Sequence, residues 1–458
     1  MAASESKKEG LGAEIVMSNG WILIRSRLGE SRAEIGGMQS RGNRSCPSTG
    51  MRQSQEMDSY FSELGGMVYD RWKQLNFAPE AFPEIATAVL VERPPADNVN
   101  LPELVREFLL EDTQPVQSTS GFGQPELIVY DTPRFYIQVL FWMEGTTDIH
   151  QHAFSGAFHV MEGSSLHSLF EFEDAESITS HFRVGNLKLK ESHLLETGAT
   201  MPIVSGAGCI HSLFHLDSPS VSIVIRTHSD PSCGPQFTYL PPHLAVDPVQ
   251  NDGLTLRRKQ LLDLLEQTGD PEYADLVIEM IRELDFERGF FILQNGIGHL
   301  RNLGVWAEAW EAFALKHGPL AEAVPPTLEE IIRRDGIAAM RGMIGDPDHR
   351  FFLALLLNVE DGKSLLEMVG LRYGGASVDM ILQWAEELMQ VTESGTWMID
   401  AEFPDELGIV QDEQPELFLE ALRYFLNPEN PPANISSGDL EVLRKAFERS
   451  SWRALVNS

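Results

Sequence analysis

Cysteine is scarce in this chain: Cys46, Cys209 and Cys233 are the only three among 458 residues. An odd, widely spread set makes no disulfide framework and no cysteine-based zinc pattern, which points to a reducing compartment. Long apolar runs are missing too. No stretch approaches the roughly 18 unbroken apolar residues of a membrane helix, and the run 21–24 is too short for the core of a secretory signal. Together these absences read as a soluble cytoplasmic protein. Basic charge is in deficit, with 35 Lys+Arg against 68 Asp+Glu, a net charge of −33 and a pI near 4.7. Such an excess repels nucleic-acid phosphates and anionic lipid, so neither nucleic acid nor membrane is expected as a partner. Glycine loops of the phosphate- or dinucleotide-binding kind are absent, as is a Gly-x-Ser-x-Gly elbow. No fixed repeat is evident, which argues against a solenoid.

What is present is ample core material, at 43% hydrophobic, in a chain too long for one ordinary core. Residues 1–56 carry eight Lys/Arg against six Asp/Glu, so the acidity belongs to the rest. They are rich in Ser, Gly and Arg without a sustained period, and read as a disordered N-terminal extension with Met51 and Met57 as alternative starts. From Met57 the period turns helical, with Tyr60, Phe61, Leu64, Met67, Val68 and Trp72 on one face. From about 80 to 245 short β-rich runs take over, at Phe135–Trp142, 157–161, 166–172 and 219–227, punctuated by glycines such as Gly145, Gly163 and Gly206. A β-barrel or sandwich with leading helices is expected over 57–245. Beyond 250 the helical period returns, with breaks at Asp346-Pro347 and 428–432, and predicts an all-α domain over 250–458. The expected fold class is therefore mixed, an all-β core followed by helices.

Nine of the 13 histidines fall between 150 and 228. His150 and His152 form an i, i+2 pair. On a strand, both side chains point to the same face and can reach one metal ion; on a helix they would diverge. A third imidazole is offered by His211 in Gly206-Ala-Gly-Cys-Ile-His211, a glycine turn entering another strand. A polar surface strand also produces a His-x-His pair. The second glycine–histidine string and the β-rich setting favour a metal site.

The pattern Gly145-x4-His150-x-His152 with a later Gly208-x-x-His211 resembles the two motifs of the cupins, and implies a double-stranded β-helix barrel. Over about residues 130–235, the runs Phe135–Trp142, Glu144-Gly145, His150-Gln-His152, Ser155, Phe158, Gly163 and Ile210-His211, followed by 219–223, are similar to the thiol dioxygenases, the cysteine dioxygenase-like three-His iron cupins. The ordinary cupin pattern adds a glutamate four or five residues after the second histidine. Here Gly156 and Ala157 stand there, so the resemblance implies three neutral imidazoles, His150, His152 and His211, around a non-haem Fe(II). Such a site keeps the full +2 charge of the ion and attracts an anionic co-ligand. Three facial ligands on octahedral iron also leave room for a bidentate substrate and O2. Zinc with three histidines and a water is the competing assignment.

The departures from that family matter equally. Its outer Ser–His–Tyr relay aligns with Ser222, Val224 and Arg226, so only the serine is kept. Its cross-linking cysteine would fall near Ala157. Its usual substrate-binding arginine is missing, and Arg226 is the candidate replacement, pairing a carboxylate through its planar fork; a structural salt bridge is the alternative for Arg226. His215 reads as a barrel-lining or rim side chain, His159 as packing or solvent-facing by its odd parity, and Cys209 as either cavity-facing or an inert buried thiol. The expected function is an Fe(II)-dependent cupin dioxygenase, an oxidoreductase acting on a small anionic thiol or amino acid with O2, with Ser222 and Arg226 as catalytic residues. The alternatives are a three-His zinc hydrolase or isomerase, and a ligand-sensing cupin without turnover. For the helical half, a homodimer interface and a lid over the barrel mouth both stay open.

Overall fold

The computed structural model describes residues 14–18, 21–25, 50–111, 114–118, 122–145, 148–248, 252–375, 378–391, 415–429 and 431–456. They fall into two units, Met1–Gly50 and Met51–Ser458. In the first, β1 (Glu14–Ser18) and β2 (Trp21–Arg25) pair antiparallel, with Ser18 opposite Trp21. Most of the extension expected to be disordered, 1–56, lies outside the described residues; its last residues belong to the first helix of the second unit.

That second unit opens with α1 (Gly50–Gln74), α2 (Phe82–Glu92), α3 (Pro95–Asn98) and α4 (Leu101–Leu110). Among the described residues eleven strands follow: β3 (Glu126–Asp131), β4 (Phe135–Trp142), β5 (Ile149–His152), β6 (Gly156–Glu162), β7 (Ser165–Ser177), β8 (Phe182–Leu195), β9 (Thr200–Ile203), β10 (Gly206–His215), β11 (Ser220–Thr227), β12 (Thr238–Leu240) and β13 (Leu244–Val246). Six of them close a barrel in the order β10-β5-β12-β13-β8-β7, and the others form a five-stranded sheet, β3-β4-β11-β6-β9. All pairings are antiparallel and many join strands distant in sequence, such as β11 with β4 and β10 with β5.

Alternation along each strand decides which face is buried against what. On β4 and β11, Phe135, Ile137, Val139, Val221, Ile223 and Ile225 turn outward onto α1, α2 and α4, where they pack with Phe61, Phe82 and Val89. The intervening residues, Leu140, Trp142 and Val224, turn inward and meet Phe154, Phe158 and Leu195. The second face is the lining of the β interior, and it carries the histidines.

Among the described residues ten helices complete the unit: α5 (Gly253–Thr268), α6 (Tyr273–Glu283), α7 (Phe286–Asn302), α8 (Trp306–His317), α9 (Val324–Met343), α10 (Pro347–Asn358), α11 (Gly362–Tyr373), α12 (Val378–Val391), α13 (Pro415–Leu426) and α14 (Ser437–Glu448). Their starts are set locally. Asp252, Asp285, Asp346, Asp361 and Ser436 each cap a free backbone N–H with a side-chain oxygen. Of these helices, α10 is buried from Phe351 to Asn358. Among the described residues no helix is long and apolar enough to cross a membrane.

The helices dock on the barrel in two places. Phe182, Leu244 and Val246 join the core of α5–α9, and Leu166, Phe214 and Leu216 join that of α9–α14. Arginines fasten the second contact. Arg341, 4% exposed, donates to the carbonyls of His215 (3.3 Å) and Leu216 (3.0 Å), pairs with Glu144 at 3.4 Å and lies over the Phe214 ring. Arg350 also holds Glu144, at 2.9 Å, and Arg372 holds Asp217 at 3.2 Å.

Candidate metal centre

β5 is only four residues long, and its alternation does what the His-x-His spacing predicts. His150 and His152 share the inner face. Ile149 turns outward to Ile210, Phe237 and Tyr239, and Gln151 is held by the Tyr239 hydroxyl (2.6 Å) and donates to the Pro235 carbonyl (3.0 Å). β10 runs antiparallel beside β5 and sets His211 directly opposite His150. The glycine turn before His211 has a steric basis: Gly206 is left-handed, at φ +71°, and a Cβ there would lie 3.3 Å from the Cys233 sulfur. A register shift between Gly206 and His211 carries the third histidine into line.

The three imidazoles converge. Their ring centroids are 4.7–4.9 Å apart, with interplanar angles of 83°, 60° and 66°. One nitrogen from each lies within 4.8 Å of the others. Nε2 of His152 and Nε2 of His211 are 2.8 Å apart. Two nitrogens each about 2.1 Å from one ion are about 3.0 Å apart at a right angle and about 3.4 Å apart at the tetrahedral angle. The observed spacing is close to both, so these two histidines can share one ion, and His150 lies near enough to join them.

Electrostatics favour neutral ligands. His152 and His211 are 6% and 3% exposed, and burial pulls both well below the ordinary imidazole value, with the neighbouring histidines adding to the effect. His150 keeps one open edge but is crowded by barrel atoms, and burial lowers it too. Among the described residues no carboxylate belongs to the cluster. The place of the missing glutamate is closed sterically: a Cβ on Gly156 would sit 2.1 Å from the Ile225 carbonyl oxygen on β11, and Ala157 faces the outer core.

Supporting groups surround the triad. His150 Nδ1 lies 3.2 Å from the Asp148 carbonyl, which fixes that nitrogen as a donor and leaves Nε2 free. His211 Nδ1 lies 2.9 Å from Nε2 of His167 on β7. His167 is 1% exposed, and burial pushes it down to about 4, so it is neutral, and its Nε2 accepts when His211 carries its proton on Nδ1. The sequence reading did not single it out. It is one of the nine clustered histidines, on a run read as a strand, but its partner is set by the β7–β10 register, in which it faces Leu213 diagonally from His211.

Arg226 and Ser222 both lie on the inward face of β11. The Arg226 guanidinium lies 3.2 Å over the Phe154 ring and 5.2 Å from that of Tyr136, and Phe154 in turn lies 4.3 Å from His152. Its charge reaches the site, where it helps to depress His152. Burial lowers Arg226 itself to about 10, and among the described residues no carboxylate lies within ion-pair distance of it. The Ser222 hydroxyl accepts from the Trp142 indole at 3.3 Å; among the described residues no hydrogen bond ties it to the triad. His215 stands apart from the cluster. It stacks on Trp142 at 4.6 Å and 16°, with Nδ1 near the hydroxyls of Ser165 and Ser220. His159 turns outward, bonded through Nδ1 to Thr200. Cys209 is a buried free thiol, pushed up by that burial.

No family model matches the sequence, and none of the curated proteins compared with it is significantly similar. Among solved structures, KdgF from a Halomonas species is 18% identical, covers 26% of this chain and 91% of its own, and has a TM-score of 0.18. The DMSP lyase DddQ from Ruegeria pomeroyi DSS-3 is 14% identical, covers 37% and 92%, and has a TM-score of 0.21. The Fe(II) form of HppE is 16% identical, covers 37% and 99%, and has a TM-score of 0.15. At such TM-scores the likeness carries no weight for chemistry, which rests on the chain's own side chains.

Proposed function

We propose that the chain is an Fe(II)-dependent oxygenase built on a cupin double-stranded β-helix, which uses O2 to oxidise a small anionic substrate, a thiol or an amino acid. The observation that carries this reading is the convergence of three neutral, steeply inclined imidazoles, His150, His152 and His211, with no carboxylate among them. Iron held by these three histidines would supply the redox chemistry that activation of O2 requires.

The chain's own residues do the rest. Burial keeps the three imidazoles unprotonated near neutral pH, so their lone pairs are available. Because they bring no negative charge, the site selects an anion. Arg226 supports the same preference: its guanidinium lies over the Phe154 ring and near that of Tyr136, and a planar fork is suited to a carboxylate. The Ser222 hydroxyl accepts a hydrogen bond from the Trp142 indole N–H and keeps its own hydrogen to orient a group in the interior. Phe154, Phe158 and Trp142 exclude bulk water from that interior.

The test is metal analysis of the purified full-length protein together with an oxygen electrode and a panel of small thiols and amino acids. Iron with substrate-dependent O2 uptake is expected. Zinc without O2 uptake would overturn the reading in favour of a hydrolase or isomerase, and protein that binds no metal would favour a ligand sensor.

A further inference from the structure

A cavity of about 1280 Å3 lies between the outer face of the barrel and the helices α9, α10 and α14; none of the three clustered histidines lines it. It is larger than the roughly 300–1,000 Å3 of ordinary small-molecule pockets. One wall is apolar, formed by Phe170 of β7, Leu187 and Leu189 of β8, and Pro241-Pro242 in the β12–β13 turn. Phe170, Leu187 and Leu189 are only half-buried, so oily surface stays uncovered inside it.

The opposite wall is cationic. Glu330 is 4% exposed and accepts two guanidiniums at once, from Arg333 at 2.7 and 2.9 Å and from Arg453 at 2.7 and 3.1 Å. Arg334 stands 3.9 Å from the same carboxylate and donates to the Leu357 carbonyl. Burial pulls the Arg334 guanidinium down to about 10; Glu330 opposes this, while Arg333 and Arg453 add to it. Exposed Arg301, Lys445 and Arg449 ring the rim. In all, six cationic side chains line the cavity against four carboxylates, the reverse of a chain with 68 acids and 35 bases. Lys445 also reaches Glu441 at 3.3 Å, yet the cations that line the cavity outnumber its carboxylates, and this local charge favours an anion there.

We propose that this cavity binds an amphipathic organic anion, a carboxylate or phosphate monoester head on the arginine wall and an alkyl or aryl body against Phe170, Leu187 and Leu189. Planar guanidiniums match both head groups bidentately, and the apolar wall gains free energy in proportion to the area that the body covers. The inference is independent of the metal centre.

The experiment is calorimetric titration of the full chain with octyl phosphate and with octanoate, below the concentrations at which either aggregates. Inorganic phosphate and octyl glucoside serve as head-only and body-only controls. Saturable binding of an amphiphile is expected, at least about tenfold tighter than either control, and the tighter of the two identifies the head group. The double variant Arg301→Glu/Arg449→Glu, confined to exposed rim positions, and separately Leu189→Ser, should each weaken binding by about tenfold or more with an unchanged thermal transition. Absence of heat with both amphiphiles overturns the proposal. So does a control that binds as tightly as the amphiphiles, or wild-type affinity in both variants.

Discussion

Replacing His167 by leucine tests the support of the third ligand. For neutral His211 to offer its Nε2 lone pair to a metal, its proton must sit on Nδ1, where it is donated to His167 Nε2, 2.9 Å away. Leucine fills the buried space but cannot accept. A buried N–H without a partner costs about 1–3 kcal/mol. The metal-free protein avoids most of that cost, because His211 can move its proton to Nε2 and donate it to His152 Nε2 at 2.8 Å. The penalty therefore falls on the metal-bound state alone, and weakens metal affinity by roughly five- to 150-fold. That range brackets the loss usual for an outer-sphere partner, about 10–100-fold. The assay is competition with a chromophoric chelator, using Fe(II) without oxygen and, separately, Co(II), alongside thermal unfolding of the metal-free protein. His167→Gln, whose amide oxygen can accept, should recover part of the loss, whereas His211→Ala should abolish stoichiometric binding. Wild-type affinity in His167→Leu, with binding lost in His211→Ala, would refute the assigned role of His167.

Three further outcomes follow from the packing. Gly156→Ala should cost about 3 kcal/mol or more in urea unfolding, because its Cβ would meet the Ile225 carbonyl oxygen at 2.1 Å; Gly336→Ala in α9, which meets nothing within 4 Å, should instead stabilise by about 0.5–1 kcal/mol, and equal effects would contradict the geometry. Burial, with Arg341 second, holds His215 down at about 3, so the unfolded chain takes up its proton below about pH 6.5 while the folded one does not; that share of stability is intact above this pH and is lost as pH falls toward 3, by up to about 1.4 kcal/mol per pH unit. His215→Gln should flatten the unfolding midpoint against pH in that window, and parallel curves would count against a neutral buried His215. Arg341→Met removes the donor to the His215 and Leu216 carbonyls and should lower stability by about 2–4 kcal/mol, visible as a loss of cooperativity between barrel and helices in hydrogen exchange.

Much of the metal centre was legible from local spacing. The i, i+2 pair on a strand has one geometric outcome, and β5 realises it. The Gly206 turn before His211 likewise needed only the rule that a left-handed backbone favours glycine. The missing carboxylate at Gly156 was visible as a letter, while the reason for it, the Ile225 carbonyl pressed against that position, appears only when β6 lies beside β11. His167 was hidden for the same reason. Which histidine supports which ligand depends on the register of β7 against β10, and register is a property of paired strands.

By itself, then, the sequence determined the elements: strands wherever apolar residues alternate, helices behind Asp and Ser caps, and three histidines in strand and turn settings that suit a metal. Tertiary structure decided everything that joins distant segments. It carried His211 opposite His150, closed six strands into a barrel, and turned Arg341, Arg350 and Arg372 from surface-like charges into clamps on barrel carbonyls and carboxylates. It also set the arginines of α9 and the C-terminus around one buried glutamate, facing an apolar barrel wall. The physical reason is range. Alternation, capping and helical period act over a few residues and are written in order along the chain, whereas the desolvation and close contact that give a buried imidazole or guanidinium its character come from residues far away in sequence.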